Sequence, residues 1–378
     1  MQRMQENNSL QTTRYTSLNG LRAISIIIVI ISHLALNYAG FPEFIKAVPL
    51  ITDGKFAVNV FFVISGFLIT SLLMKEELTP QGISLKNFYI RRTLRIFPAY
   101  YFLLSIYFLL SCFGFMYLSD QSWLTSLTYT KYFNWNKDWY TGHAWSLSIE
   151  EHFYLLWPLF FTMGQKARKY FIFAVLLIVP MFRTFSYYHQ VSWINPLTIF
   201  YRFDAIATGC LFALCQDKII PVLAANWKKY FYAAVALLLL LPLLAYLNDR
   251  YEWNMDLFIS SVGSTYGTIA NMLIAVILIC SVFGLKGTWF KFLNSRIMEQ
   301  IGIWSYSIYL WQQLFTANKD HFINRFPFNL GFILIASLSS YYFIEKPFLR
   351  LKTRFSSPRK KMQRPLPAAG LTLFPSSA

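Results

Sequence analysis

Ten apolar runs, each long enough to cross a bilayer as a helix, constrain this chain more than any other feature. They fall at about 20–39, 56–74, 97–117, 146–163, 170–188, 200–216, 230–248, 258–284, 301–316 and 327–345. A helix needs about 20 mostly apolar residues to span the hydrocarbon core. Only 13% of the residues are charged and 56% are hydrophobic, against about 25% charged in a typical soluble domain. A water-soluble surface cannot be covered with so little charge. The expected fold is therefore all-α: a polytopic membrane bundle of about ten transmembrane helices. The apolar pattern runs without a gap from Leu21 to Phe348, so the bundle is one continuous unit. It is flanked by an N-terminal segment over 1–17 and a Ser-, Pro- and Lys/Arg-rich tail over 351–378 that reads as disordered and lipid-contacting.

The loops set the orientation. The net charge is +17, and the basic residues gather in alternate loops. Lys75, Lys86, Arg91, Arg92 and Arg95 follow the second run; Lys166, Arg168 and Lys169 follow the fourth; Lys218, Lys228 and Lys229 follow the sixth; Lys286, Lys291 and Arg296 follow the eighth. The intervening loops are balanced or acidic, as with Glu43, Lys46, Asp53 and Lys55, or with Asp249, Arg250, Glu252 and Asp256. This is the positive-inside pattern, and it places both termini in the cytoplasm. The same distribution argues against nucleic acid as the partner of the basic excess. Residues 1–17 are polar, and no small-residue cleavage site follows the first run, so that run reads as an uncleaved span. Cys112, Cys210, Cys215 and Cys280 form no CxxC and lie in apolar stretches, which fits free thiols and not a disulfide or metal framework.

Ionisable residues inside a span cost several kcal/mol and point to function. The first run carries two, Arg22 and His33, eleven positions apart. Eleven steps make close to three helical turns, so both project from one face, roughly 16 Å apart along the axis. The loop charges put Arg22 near the cytoplasmic end and His33 deeper. Taken singly, Arg22 reads equally as a snorkelling anchor and His33 as a hydrogen-bonded core imidazole. On one face, they form a pair in which a neutral imidazole can take a proton from a hydroxyl.

Three further constellations stand out. His143-Ala144-Trp145-Ser146-Leu147-Ser148-Ile149-Glu150-Glu151-His152 opens the fourth run. Ser146 or Ser148 can cap that helix, but two adjacent carboxylates at a membrane boundary also suit a polar cavity, where one orients His33 or binds the acceptor. There is no HExxH, and no metal is expected. Arg91, Arg92 and Arg95 stand before the third run; Arg91 and Arg95 share a helical face. They are either a topology signal or a grip for phosphates. Arg202 and Asp204 open the sixth run, either as a buried salt bridge or as part of an acceptor site.

Together these residues resemble the acyltransferase 3 family of membrane O-acyltransferases, over about residues 14–350. The marks are Leu18-Asn19-Gly20-Leu21-Arg22-Ala23-Ile24 with His33; Asn59-Val60-Phe61-Phe62-Val63-Ile64-Ser65-Gly66-Phe67; the Arg91/Arg92/Arg95 cluster; Trp145-Ser146-Leu147-Ser148-Ile149-Glu150-Glu151; Ser305-Tyr306-Ser307-Ile308-Tyr309-Leu310-Trp311; and Glu345-Lys346-Pro347-Phe348. The resemblance implies a transmembrane acyltransferase domain over 18–350. It implies transfer of an acyl group, by default acetyl, from cytoplasmic acyl-CoA to a hydroxyl of a cell-envelope glycan or lipid-linked carbohydrate, in a bacterial cytoplasmic (inner) membrane. Acyl-CoA is a donor substrate, with no permanently bound cofactor. The implied catalytic residues are Arg22, His33 and Glu150. Arg91, Arg92 and Arg95 would hold the donor, and Trp145, Glu151, Arg202 and Asp204 the acceptor. The chain departs from the family pattern at Asn19 (usually Asp), His152 (commonly Gln) and Gln312 (His in many members). Transfer can be direct or pass through an acyl-histidine. The alternative is a transporter or flippase of a lipid-linked glycan, which also uses intramembrane charges, although no broken helix pair or repeat is evident in the sequence.

Overall fold

The computed structural model describes residues 17–38, 40–46, 48–133, 138–189, 201–265, 267–284, 287–317 and 321–355. Of the tail expected over 351–378, residues 351–355 are helical, in Lys346–Lys352 and Thr353–Phe355, and 356–378 lie outside the described residues, as do 1–16, Lys137 and Lys286. The described residues are helices joined by turns, without a strand. The principal helices are α1 (Ser17–Asn37), α2 (Gly54–Glu77), α3 (Leu85–Cys112), α4 (Asp120–Leu127), α5 (Ala144–Thr162), α6 (Gln165–His189), α7 (Phe203–Leu214), α8 (Gln216–Ala225), α9 (Trp227–Tyr251), α10 (Thr268–Phe283), α11 (Thr288–Leu293), α12 (Arg296–Phe315), α13 (Phe328–Ser340) and α14 (Lys346–Lys352). A π turn, Tyr341–Glu345, joins α13 to α14.

All ten apolar runs fall on helices, but they are not ten equal spans. Seven described helical stretches are long and apolar enough to cross a membrane by themselves. An eighth would be α7 with α8, which bend by 85° at Cys215. That bend corrects the reading that the chain has no broken helix pair. The fourth and ninth runs become α5 and α12, of 19 and 20 residues. Glu150, Glu151 and His152 in α5, and Arg296, Glu299, Gln312 and Gln313 in α12, make these two too polar to pass as spans alone.

Local chemistry explains the boundaries. Asp53 caps α2, accepting from the backbone N–H of Lys55 (2.9 Å) and Phe56 (3.0 Å). Ser84 caps α3 and Ser295 caps α12; each satisfies an orphan first-turn donor. The expected serine cap of α5 is not formed. The helix already begins at Ala144, and its N-cap, His143, makes no side-chain cap bond. Ser146 and Ser148 sit inside the helix and donate back to the carbonyls of His143 (3.2 Å) and Ala144 (3.0 Å).

Small residues let the central helices touch backbone to backbone. A Cβ on Gly66 of α2 would stand 2.0 Å from the Ile206 carbonyl oxygen of α7, and one on Gly209 of α7 would stand 2.1 Å from the Val63 oxygen of α2. Gly302 of α12 meets Asn19 of α1 in the same way, with a Cβ 2.0 Å from its carbonyl oxygen. Such contacts replace the hydrophobic driving force that lipid-embedded helices lack. They bring α1, α2, α7 and α12 together around a polar interior.

Candidate active site

Two cavities open inside the bundle, and Arg22 lines both. The first encloses about 670 Å³ free of protein atoms, its mouth included. Its walls carry Arg22 of α1, Ser65 of α2, Arg92 and Arg95 of α3, Ser146 and Glu150 of α5, and Tyr306 and Tyr309 of α12. The second lies toward the N-terminal end of α1 and is bounded by Asn19, Arg22, Ser71, Lys75, Arg95 and Glu345 among others. Arg22 and Arg95 therefore stand in the wall common to both.

Each arginine of the cluster has a different setting. Arg92 stacks on Tyr154, its Cζ 3.4 Å from the ring centroid, a cation–π contact that fixes the guanidinium. Arg91 faces elsewhere: it pairs with Glu76 of α2 and donates to the Phe355 carbonyl oxygen at 2.8 Å. It lines neither cavity. Arg22 makes no hydrogen bond or ion pair among the described residues; the charges it senses are those of Arg95, Glu150 and Arg92. Glu150 accepts from the Tyr154 hydroxyl at 3.2 Å and lines the first cavity. Glu151 is not in that wall, and its Oε1 is buried without a described partner.

His33 lies three turns along α1 from Arg22 and lines neither cavity. Its Nδ1 donates to Gln312 Oε1 at 2.6 Å. The Thr316 hydroxyl also reaches that oxygen, at 3.5 Å, after bonding the Gln312 carbonyl oxygen at 3.0 Å. An Nδ1–H donor leaves Nε2 with its lone pair, the tautomer a general base needs. The Trp139 ring meets His33 edge-on, 5.2 Å between centroids. Gln313, the next residue of α12, holds that tryptophan: it accepts from Trp139 Nε1 at its backbone oxygen (2.8 Å) and donates from Nε2 to the Trp139 carbonyl oxygen (2.5 Å). Its Oε1 accepts from the His143 backbone N–H at 3.2 Å.

The segment carrying Trp139 and His143 is pinned by a buried ion pair. Lys131 Nζ bonds Asp138 Oδ2 at 2.5 Å and also the Thr141 hydroxyl. Thr141 N donates to Asp138 Oδ1 at 2.7 Å and Ser122 Oγ to Oδ2 at 2.8 Å. Burial disfavours the Asp138 carboxylate, yet the Lys131 charge and these hydrogen bonds hold it below the ordinary carboxylate value. Burial lowers Lys131, opposed by Asp138.

A hydroxyl bridge links the first cavity to this region. Tyr309 Oη bonds Ser146 Oγ at 2.6 Å and donates to the His143 carbonyl oxygen at 3.0 Å. The His143 ring packs edge-on against Tyr309 at 5.5 Å and is only 4% exposed. Burial, and the neighbouring His33, hold the His143 imidazole well below its ordinary value, so it is neutral.

The residues expected to hold an acceptor do not form one group: Arg202 meets Trp145, Asp204 pairs with Arg183, and Glu151 lies toward Arg92. Arg202 stands 5.9 Å over the Trp145 ring and donates to Asn59 Oδ1 at 3.1 Å. Asn59 in turn donates to Asn271 at 2.7 Å. Asp204 is fully buried and pairs with Arg183 of α6, while Thr268 donates to it at 2.6 Å. Of the two readings of the Arg202/Asp204 pair, the buried salt bridge exists, but its cation is Arg183. The sequence carried that signal: Arg183 lies inside an apolar run, as Arg22 does. Lys131, Asp138 and Trp139 gave no such signal, because a balanced loop shows nothing of the tertiary contact it makes. Among the described residues, no three His, Cys, Asp or Glu gather as a metal site.

The chain is similar to known acyltransferases along most of its length. Peptidoglycan O-acetyltransferase OatA of Listeria monocytogenes is 28% identical over 335 residues, covering 80% of this chain and 50% of that protein. O-acetyltransferase OatA of Staphylococcus aureus is 28% identical over 381 residues, covering 92% of this chain and 59% of its own length. A putative O-acetyltransferase of Staphylococcus aureus, also 28% identical, covers 88% of this chain and 56% of its own. This chain thus spans little more than half the length of the curated relatives it matches. No solved structure matches it. The acyltransferase domain of the acyltransferase 3 family matches residues 15–344, nearly the whole helical bundle, and the chain belongs to that family.

Proposed function

We propose that this multi-pass membrane protein is an O-acetyltransferase that moves acetyl from cytoplasmic acetyl-CoA to a hydroxyl of a cell-envelope glycan. The observation that carries this reading is the pair of cavities sharing Arg22 and Arg95, three turns along α1 from a half-buried His33 whose Nδ1 is occupied by Gln312. In the positive-inside orientation the second cavity faces the cytoplasm, where Arg95, Lys75 and Arg22 would attract the phosphates of the donor. Arg92 and Arg95 of the first cavity carry the grip further in, and the thiol-bearing arm of the donor reaches toward His33. Arg91 supports this wall through Glu76 instead of touching the donor. Trp145, Arg202 and Glu151 flank the side from which the glycan arrives, and Asp204 with Arg183 holds that side in shape. A peptidoglycan-type acceptor fits the name of the Listeria relative.

In the transfer, the acceptor hydroxyl gives its proton to His33 Nε2 as its oxygen bonds the thioester carbonyl carbon. The carbon–sulfur bond then breaks, and the leaving thiolate takes the proton back from His33. The products are the O-acetyl ester and free CoA. Glu150, beside Arg22, orients the charge of the site.

One observation favours the flippase alternative: the 85° break between α7 and α8. Many transporters place broken helices in pairs, one per repeat, and the described residues hold a single such break. Purified protein in detergent, given radiolabelled acetyl-CoA and envelope glycan, decides between them. We expect labelled glycan from the wild type, a loss of roughly 10²–10⁴-fold in His33→Ala, and a comparable loss in Arg22→Ala. Full transfer by correctly inserted His33→Ala would falsify the mechanism, and no transfer by the wild type would leave the flippase.

A further inference from the structure

His143 is fixed by its backbone and left open at its ring. Its N–H is bonded by Gln313 Oε1, and its carbonyl oxygen accepts from both Ser146 and Tyr309. The Gln313 bond and the Ser146/Tyr309 hydroxyl pair, whose two protons are shared among three contacts, therefore set its position whatever its side chain is. The ring is 4% exposed, yet neither Nδ1 nor Nε2 completes a hydrogen bond among the described residues. The Gln313 amide also faces the ring and opposes the effect of its burial, but the oxygen and nitrogen of that amide are already bonded to the backbone of His143 and Trp139. A buried donor or acceptor left unmade costs about 1–3 kcal/mol, and an apolar ring would pack on Tyr309 without that penalty. Close by, on the partner of His33, Gln312 Nε2 is also buried without a described partner. Two unmatched polar groups thus lie in the neighbourhood of His33, one on its partner Gln312 and one on a ring that feels its charge, in a region where packing alone would favour carbon.

We propose that His143 is the second imidazole of the acceptor site, donating a hydrogen bond to the oxygen of the acceptor hydroxyl whose proton His33 takes. A hydroxyl has one donor and two acceptor positions, so it can serve both rings at once. The neutral state of His143 keeps one N–H for this purpose without placing a competing cation beside His33. The ligand it selects is an alcohol, which both accepts and donates, and not the thioester donor, which offers no hydroxyl. Trp139, edge-on to His33 and tied through Gln313 to the His143 backbone, ties both residues to one framework. This inference rests on the acetyl-transfer reading above.

The test measures alkali-released acetate from envelopes of cells carrying the full chain, with acetyl-CoA affinity and thermal midpoint measured on the same proteins in vesicles. His143→Phe keeps the packing on Tyr309 and removes both nitrogens. We expect envelope O-acetyl to fall at least about tenfold, the loss of one transition-state hydrogen bond, with acetyl-CoA affinity unchanged and the midpoint equal or higher. His143→Gln, which retains a donor and an acceptor, recovers part of the activity. Wild-type O-acetyl levels in His143→Phe overturn this inference alone. So does a fall in midpoint or in acetyl-CoA affinity, or a Gln variant no better than Phe. A wild-type chain that adds no acetyl overturns the proposed function, and this inference with it.

Discussion

At the level of single residues, Gln312 is the most telling position. By sequence it reads only as a departure from the family pattern that the chain resembles. In the fold its amide oxygen meets His33 Nδ1 at 2.6 Å, in line with the Thr316 hydroxyl. An amide does here what a neutral imidazole acceptor can do: it fixes the tautomer and the ring plane. It cannot take up or release a proton. Removing the acceptor frees His33 to rotate and to carry its proton on either nitrogen. Gln312→Leu should therefore lower acetyl transfer by about tenfold or more, the usual range for a lost buried hydrogen bond at a reacting group, without changing acetyl-CoA affinity. Gln312→His should restore it. Equal activity in Gln312→Leu would show that the 2.6 Å contact is incidental. Arg22 and His33 themselves were legible because charge in an apolar run is rare. Which arginine of the second loop faces the interior was not. Arg91, Arg92 and Arg95 look alike in sequence, and only packing separates the one paired with Glu76 from the two in the cavity wall.

Among the elements, α5 and α12 show why a count of apolar runs misleads. Both hold the groups that line the first cavity or support His33, and those groups are what make them too polar to read as free-standing spans. Glu150, Gln312 and Gln313 face protein and cavity in place of lipid, while leucines such as Leu155 and Leu159 form the exposed face of α5. The segment between α3 and α5 shows the opposite limit. Its charges looked balanced and uninformative, yet Lys131 and Asp138 form the buried clamp that seats Trp139 against His33. Asp138 is held below the ordinary carboxylate value, burial opposing and Lys131 prevailing. A depressed carboxyl contributes stability that is present above its unfolded value near ~4 and is lost as pH falls through the folded value. Amide exchange over residues 119–133 and 138–143 should therefore quicken below about pH 4 while α2 stays protected. Asp138→Asn should show the faster exchange already at neutral pH and lose the acid step. An acid step that survives in Asp138→Asn would place its origin elsewhere.

For the whole molecule, the composition gave the class and the alternation of basic and balanced loops predicts an orientation; neither could show that one helix pair turns by 85° or that two cavities share a wall. Periodicity reports which faces are apolar, not how helices cross. The crossings depend on glycines such as Gly66, Gly209 and Gly302, which a hydropathy pattern treats as neutral. The orientation is open to direct measurement. In a Cys112→Ser background, which removes the exposed thiol, a cysteine at Asp120 should react with an impermeant maleimide in intact cells, and one at Lys166 only after permeabilisation. The reverse pattern would invert the bundle and move the donor side to the other face. The wall between the cavities has one more consequence. A polar passage through a bilayer is a hazard to any cell that stores energy as an ion gradient, because water-filled space conducts. Here the wall shared by the two cavities carries two guanidinium groups, which do not deprotonate in ordinary conditions. Fixed positive charge in a pore repels cations and protons while admitting anionic or neutral groups. In the proposed reading, the arginines that attract a phosphorylated donor would also act as electrical insulation against leak current.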